Sequence, residues 1–216
     1  MSTPPAPGLP ALDERGWVRT DERVDVRFEL PTMRVLAHTL VYEDDPLRER
    51  VREATGIDHA WRFFFASRLA FEPPLPPLTG TASVYGSVRS EARNAFVSDL
   101  RERGVASIDR GRTERTRTGT GDRVSLMRYR GRYRLDDRSH GDGGSQGDDE
   151  DDGRDRDEPI DVPIAGLLGV WTHDGDFRLA GGCYPEMSLA TLVENAPATD
   201  PNAFRDELID LVRGTR

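Results

Sequence analysis

The sequence predicts an α+β fold: a single domain with a mainly antiparallel β-sheet covered by two or three helices. Three observations carry this. Several runs alternate apolar and polar residues at the period of two that a half-buried strand requires. Those runs are linked by hairpin turns and not by βαβ crossovers. Separate stretches place apolar residues at helical spacing between capping residues.

Val24 to Leu30 reads VDVRFEL, with Val24, Val26, Phe28 and Leu30 expected on one face of a strand that ends at Pro31. Met33 to Tyr42 is a second β-branched, apolar run. Asp45-Pro46 then opens a short helix, with Asp45 as its cap, Leu47, Val51 and Ala54 inward, and Gly56 as a left-handed stop. Ala60 to Phe71 alternates again. Trp61, Phe63, Phe65, Leu69 and Phe71 share one face, and Arg62, Phe64 and Arg68 share the other. The prolines of EPPLPPL take the chain out of the sheet.

Ser90 to Gly104 is the clearest helix, with Ser90 as cap and Ala92, Phe96 and Leu100 as buried stripe. Val105 to Glu114 and Val124 to Leu135 form a hairpin around Thr118-Gly119-Thr120-Gly121-Asp122. Ile160 to Trp171 is apolar on both faces from Ile164 on, as a central strand covered on two sides must be. Asp174-Gly175 is a type I′ turn signal leading to the partner strand Phe177 to Tyr184, in which Gly181-Gly182 suggests a bulge. A short helix is expected over Ser188 to Ala196. The last helix starts at Asp200-Pro201, buries Phe204, Leu208 and Leu211, and stops at Gly214. Residues 1–16 are expected to be a flexible Pro-rich lead, and residues 17–216 the single domain.

Charge is concentrated. The chain has 216 residues and a net charge of −9. All 30 of its basic side chains are Arg. Between Asp136 and Asp161 lie 12 acidic residues and 3 Arg, which equals the whole excess. The core of that segment, SHGDGGSQGDDEDDGRDRDE, has no large apolar residue to offset the entropy of ordering, so a disordered acidic loop is expected over 136–159. Arg101 to Arg134 holds 11 Arg against 4 acids. The absence of Lys, with a pI near 5.0, suits a salt-adapted protein. At molar salt the Debye length falls to about 3 Å, which weakens long-range attraction to nucleic acid.

Several function classes lose support. No run approaches the ~18 apolar residues of a membrane span, and Met1 to Pro10 has no signal-peptide pattern; a cytoplasmic location is expected. There is no phosphate-binding Gly loop, no nucleophile elbow and no metal-ligand spacing among His38, His59, His140 and His173. No catalytic residue, metal or cofactor is therefore expected. Cys183 is the one thiol. A nucleophilic role needs an adjacent base, and His173 lies at the far end of the hairpin. The remaining feature is a row of Arg128, Arg130, Arg132 and Arg134 on one strand, about 20 Å long, which Arg115 and Arg117 on the facing strand could widen. Such a row suits an anionic surface of nucleic acid or lipid, or a solvent face whose Arg pair with nearby carboxylates.

Ser90 to Arg216 resembles, in pattern, the later half of PsbP-like α/β/α sandwich domains. The likeness runs through the helix, the hairpin with Tyr129 and Tyr133, the apolar strand to Trp171, the tight turn and the closing helix. The segments SEARNAFVSDLRERG, VPIAGLLGVW and FRLAGGCYP also resemble an uncharacterised group of haloarchaeal proteins. The first resemblance implies a non-enzymatic scaffold that binds other proteins. The second implies a lineage and no activity. Together these readings predict a binding or accessory domain with a protein partner, with an anion-binding module or a Cys183 thiol enzyme as alternatives.

Overall fold

In the computed structural model, which describes residues 3–76, 80–135 and 159–216, hairpins set the architecture. β1 (Trp17–Leu30) returns as β2 (Met33–Asp44), with Leu30 facing Met33 across Pro31-Thr32. α1 (Asp45–Thr55) then leads to β3 (Phe63–Glu72), which pairs with β2. α2 (Gly80–Glu102) carries the chain to the far edge, where β4 (Val105–Arg117), β5 (Arg123–Leu135), β6 (Ile160–His173) and β7 (Asp176–Pro185) follow as a meander. β7 closes against β3, so the seven strands run β1-β2-β3-β7-β6-β5-β4, antiparallel throughout. α3 (Pro201–Gly214) ends the fold. The acidic loop of 136–159 lies outside the described residues, apart from Pro159.

Each face of the sheet holds its own core. On one, α2 buries Val88, Ala92, Phe96 and Leu100 against Phe63, Phe65, Tyr129, Ile164, Leu168 and Leu179. On the other, Leu208, Leu211 and Val212 of α3 pack on Phe64, Leu126, Leu167, Trp171 and Tyr184. β6 supplies alternate residues to both, which is why its sequence is apolar without alternation.

Several local expectations needed correction. Asp44, not Asp45, caps α1, its carboxylate accepting from Leu47 N at 3.0 Å. α2 begins ten residues before Ser90, which lies within it. Only a 3₁₀ turn, Leu189–Thr191, forms in Ser188 to Ala196. In β1 a bulge between Val26 and Phe28 reverses the alternation. Phe28 and Leu30 pack on the α2-side core, while Val24 and Val26 lie on the other face and are 43% and 48% exposed. Gly181-Gly182 makes no bulge: the pairing of β7 with β3 and with β6 is unbroken through it. The Pro-rich lead is packed over its described part. Pro4 and Pro7 are buried, Leu12 is in the α3-side core, and Gly8 exchanges two main-chain hydrogen bonds with Arg216. Asp174 and Gly175 have φ of 51° and 83°, as the type I′ turn requires.

Candidate functional site

The arginine row is where the alternation of β5 places it, but not as a bare cationic strip. Arg128 and Arg130 both donate to Glu186, at 2.9 and 3.1 Å. Arg132 and Arg134 flank Asp161 at 3.4 and 3.5 Å. Among the described residues, four guanidiniums thus share two carboxylates. Arg115 and Arg117 do not widen the row. They face Ser125 and Arg123 across the β4–β5 ladder. Directly paired residues share a face, so both lie on the side opposite Arg128 to Arg134.

Cys183 is fully buried on the α2 side, next to Phe63 in the β3–β7 ladder. Burial pushes its pKa up to about 11. Among the described residues its one side-chain neighbour within hydrogen-bonding distance is the Tyr133 hydroxyl, 3.6 Å away, itself pushed well above the usual phenol range by burial. His59 stands edge-on to the Tyr133 ring at 4.4 Å, and burial lowers its pKa. His173 is remote and bonds Asp122 at 2.8 Å. Among the described residues the thiol therefore has no base beside it. Alkylation of the folded protein near pH 8 is expected to be at least a hundredfold slower than in denaturant, on thiolate fraction alone. Because the unfolded thiol ionises near 8.5 and the folded one near 11, the unfolded state gains from rising pH first. The thiol's share of the fall in stability should be about 2 to 3 kcal/mol across that window, and Cys183→Ala should remove that share while the part due to the buried Tyr133 hydroxyl stays. Urea titrations at pH 8 and 10.5 measure it; an unchanged slope in the variant would assign the fall to other groups.

A different place combines shape with spare hydrogen-bonding capacity. Between the C-terminal half of α2 and strands β1 to β3 lies a recess of about 170 Å³. Its floor carries Thr39 and Ser67, directly opposite one another in the β2–β3 ladder, both buried, with hydroxyls 2.8 Å apart. One hydroxyl must donate to the other, which leaves the second hydroxyl hydrogen without a partner among the described residues. Val41, Phe63 and Phe65 form apolar walls.

Arg23, Arg27 and Arg103 stand at the rim, and each already has a carboxylate. Arg27 is paired with Asp99 of α2. Arg103 lies over the Phe63 ring at 4.3 Å and reaches Glu43 at 3.3 Å. Arg23 sits between Asp21 and Asp25 at 3.0 and 3.4 Å. Glu102 completes the rim. The charged groups are thus spoken for, and the unused capacity belongs to the hydroxyl pair.

Sequence reasoning missed this recess, although the signal was present. Thr39 is the one polar residue among Val35, Ala37 and Val41 on its face of β2, and Ser67 the one among Phe63, Phe65 and Leu69 on β3. Among the described residues no group of acidic, His or Cys side chains is arranged to hold a metal ion, and no helix is long and apolar enough to cross a membrane. One family model matches the chain, over residues 4–216, and it describes a domain of unknown function. No curated protein and no solved structure matches it.

Proposed function

Starting from the membership of this chain in the DUF6517 family, we propose that it is a non-catalytic binding domain whose ligand sits in the recess between α2 and β1 to β3. The observation that carries the reading is the buried Thr39–Ser67 hydroxyl pair on an otherwise apolar floor. Two hydroxyls placed there cost desolvation that valine and alanine would avoid, and a bound hydrogen-bond acceptor would recover it. The ligand is a small neutral molecule with an apolar ring and one hydrogen-bonding group, because every rim guanidinium already faces a carboxylate. The PsbP-like resemblance supports the same class of function and adds a protein partner. The all-Arg, acidic composition supports a salt-adapted protein of the cytoplasm.

Thermal melting in phenol, benzamide and benzoate tests the recess. Benzamide is expected to raise the midpoint and benzoate to leave it unchanged. At a hundredfold excess over Kd the stabilisation is about 2.7 kcal/mol. Ser67→Ala with Thr39→Val should fold and lose the response. An equal response in that variant, or none in the unaltered protein, would overturn the reading.

The imbalance on β5 among the described residues, four guanidiniums to two carboxylates, favours a second reading as an anion-binding face for nucleic acid or anionic lipid. Unchanged retention of both ligands at working salt after Arg128, Arg130 and Arg132 are replaced by Ser would remove it.

A further inference from the structure

β1 is an edge strand of 14 residues, and among the described residues no strand pairs with its outer side. Long edges of this kind are usually blunted, because their free main-chain groups invite another strand. Here two bulges, at Thr20 and at Arg27, bracket one unbroken run, Asp21 to Val26. Within that run Val24 and Val26 are about half exposed on the α3 side.

The charges along β1 have a further property. Two copies pairing antiparallel about a twofold axis perpendicular to the sheet must centre on one residue, since directly opposed residues share a face. With Val24 at the centre, Arg23 opposes Asp25 twice within the unbroken run, and Glu22 opposes Val26. Val24 then meets Val24. Shifting the centre by one residue reverses the outcome. Centred on Arg23, Arg23 meets its own copy and Asp21 meets Asp25. Centred on Asp25, Asp25 meets its own copy. Like charges directly opposed destabilise a strand pair, and opposite charges stabilise it.

We propose that the outer edge of β1 is a docking surface for a second copy of this chain, which pairs antiparallel with its own β1 about a twofold axis at Val24. The two sheets then continue into one of fourteen strands. The bulges that bracket Asp21 to Val26 end the shared ladder, and the isologous contact uses up the edge on both copies, so the assembly closes at two. The interface is short and its rim is charged, which places it with weak, concentration-dependent associations.

Disulfide trapping at the axis tests the register. Opposed residues have Cα atoms about 4.5–5.5 Å apart, within reach of a disulfide. Val24→Cys in the full chain is expected to cross-link to a dimer under mild oxidation. Glu22→Cys is the control, because the two copies of residue 22 would be separated by about 13 Å along the strands. The buried Cys183 should not take part. Without oxidant, weight-average mass by sedimentation should rise towards twice the monomer value with concentration, and Val24→Arg should hold it at the monomer value. Val24 is exposed, so both variants should melt as the unaltered protein does. Equal cross-linking at 22 and 24, none at 24, or a dimer that survives Val24→Arg would overturn the proposal. None of these outcomes bears on the recess, whose test reads a melting shift.

Discussion

Gly182→Ala is expected to leave little folded protein. A Cβ at position 182 would stand 2.0 Å from the Phe63 carbonyl oxygen of β3, and one at position 181 would stand 2.2 Å from the Leu167 carbonyl oxygen of β6. Each obstacle is backbone within a paired strand, so neither can swing aside as a flexible side chain would. Overpacking of a core commonly costs about 1–3 kcal/mol. These two positions should exceed that range, because relief requires two central strands to separate. Gly86→Ala is the natural comparison. It lies in α2 with nothing within 4 Å of the added carbon, and should stabilise the protein by up to about 1 kcal/mol. Urea denaturation of the three variants separates the cases. A Gly182→Ala protein within 1 kcal/mol of the unaltered one, a margin below that ordinary overpacking cost, would refute the close-approach explanation.

The second large effect is expected at Arg62. Its side chain is 4% exposed, donates to Asp44 and to Glu207 at 2.6 Å each, and lies between the Trp17 and Phe204 rings at 4.9 and 4.1 Å. One guanidinium thereby joins the cap of α1, the body of α3 and the start of β1. Arg62→Met keeps the apolar length against both rings but strands two carboxylates in a part-buried site. Loss of one partner from a buried pair costs about 3–5 kcal/mol. Glu207→Gln should cost less, near 1 kcal/mol, because Glu207 is 29% exposed and the amide oxygen can still accept from Trp17 Nε1, now 3.1 Å from the carboxylate. Denaturation in low and high salt checks the assignment. A buried pair is screened little, so the Arg62→Met deficit should persist at high salt.

The fold was largely legible because its signals are local. Period-two alternation located β3 and β5, unbroken apolarity marked β6 as central, and Asp174-Gly175 fixed the β6–β7 turn. Bulges were not legible. Val24, Val26, Phe28 and Leu30 alternate perfectly in sequence, and only the inserted Arg27 turns the second pair over. The glycine pair in β7 was misread for a related reason. Glycine in a strand answers either to a bulge or to a close backbone, and the neighbouring carbonyls that decide between them belong to β3 and β6, far away in sequence. The recess was hidden in the same way. Thr39 and Ser67 are each an ordinary hydroxyl in a strand, and their meaning arises only when β2 and β3 align them. Arg115 and Arg117 take their face from the register next to the turn, where Arg117 pairs with Arg123 and Arg115 with Ser125, and a row counted along β5 alone does not reveal that register.

The strand order also bears on how the chain finds its structure. β1, β2 and β3 pair with their neighbours in sequence, and so do β4, β5, β6 and β7. A single ladder, β3 with β7, joins the two sets, and it brings residue 63 against residue 183. Forming it means closing a loop of more than a hundred residues before any of its contacts is made. Two meanders can therefore assemble separately and early, each with one raw edge, and must then find each other. The join they make is the one that passes over Gly181 and Gly182. A chain that folds this way is most exposed to misassociation just before its last ladder closes, while the edges of β3 and β7 are still open to the wrong partner.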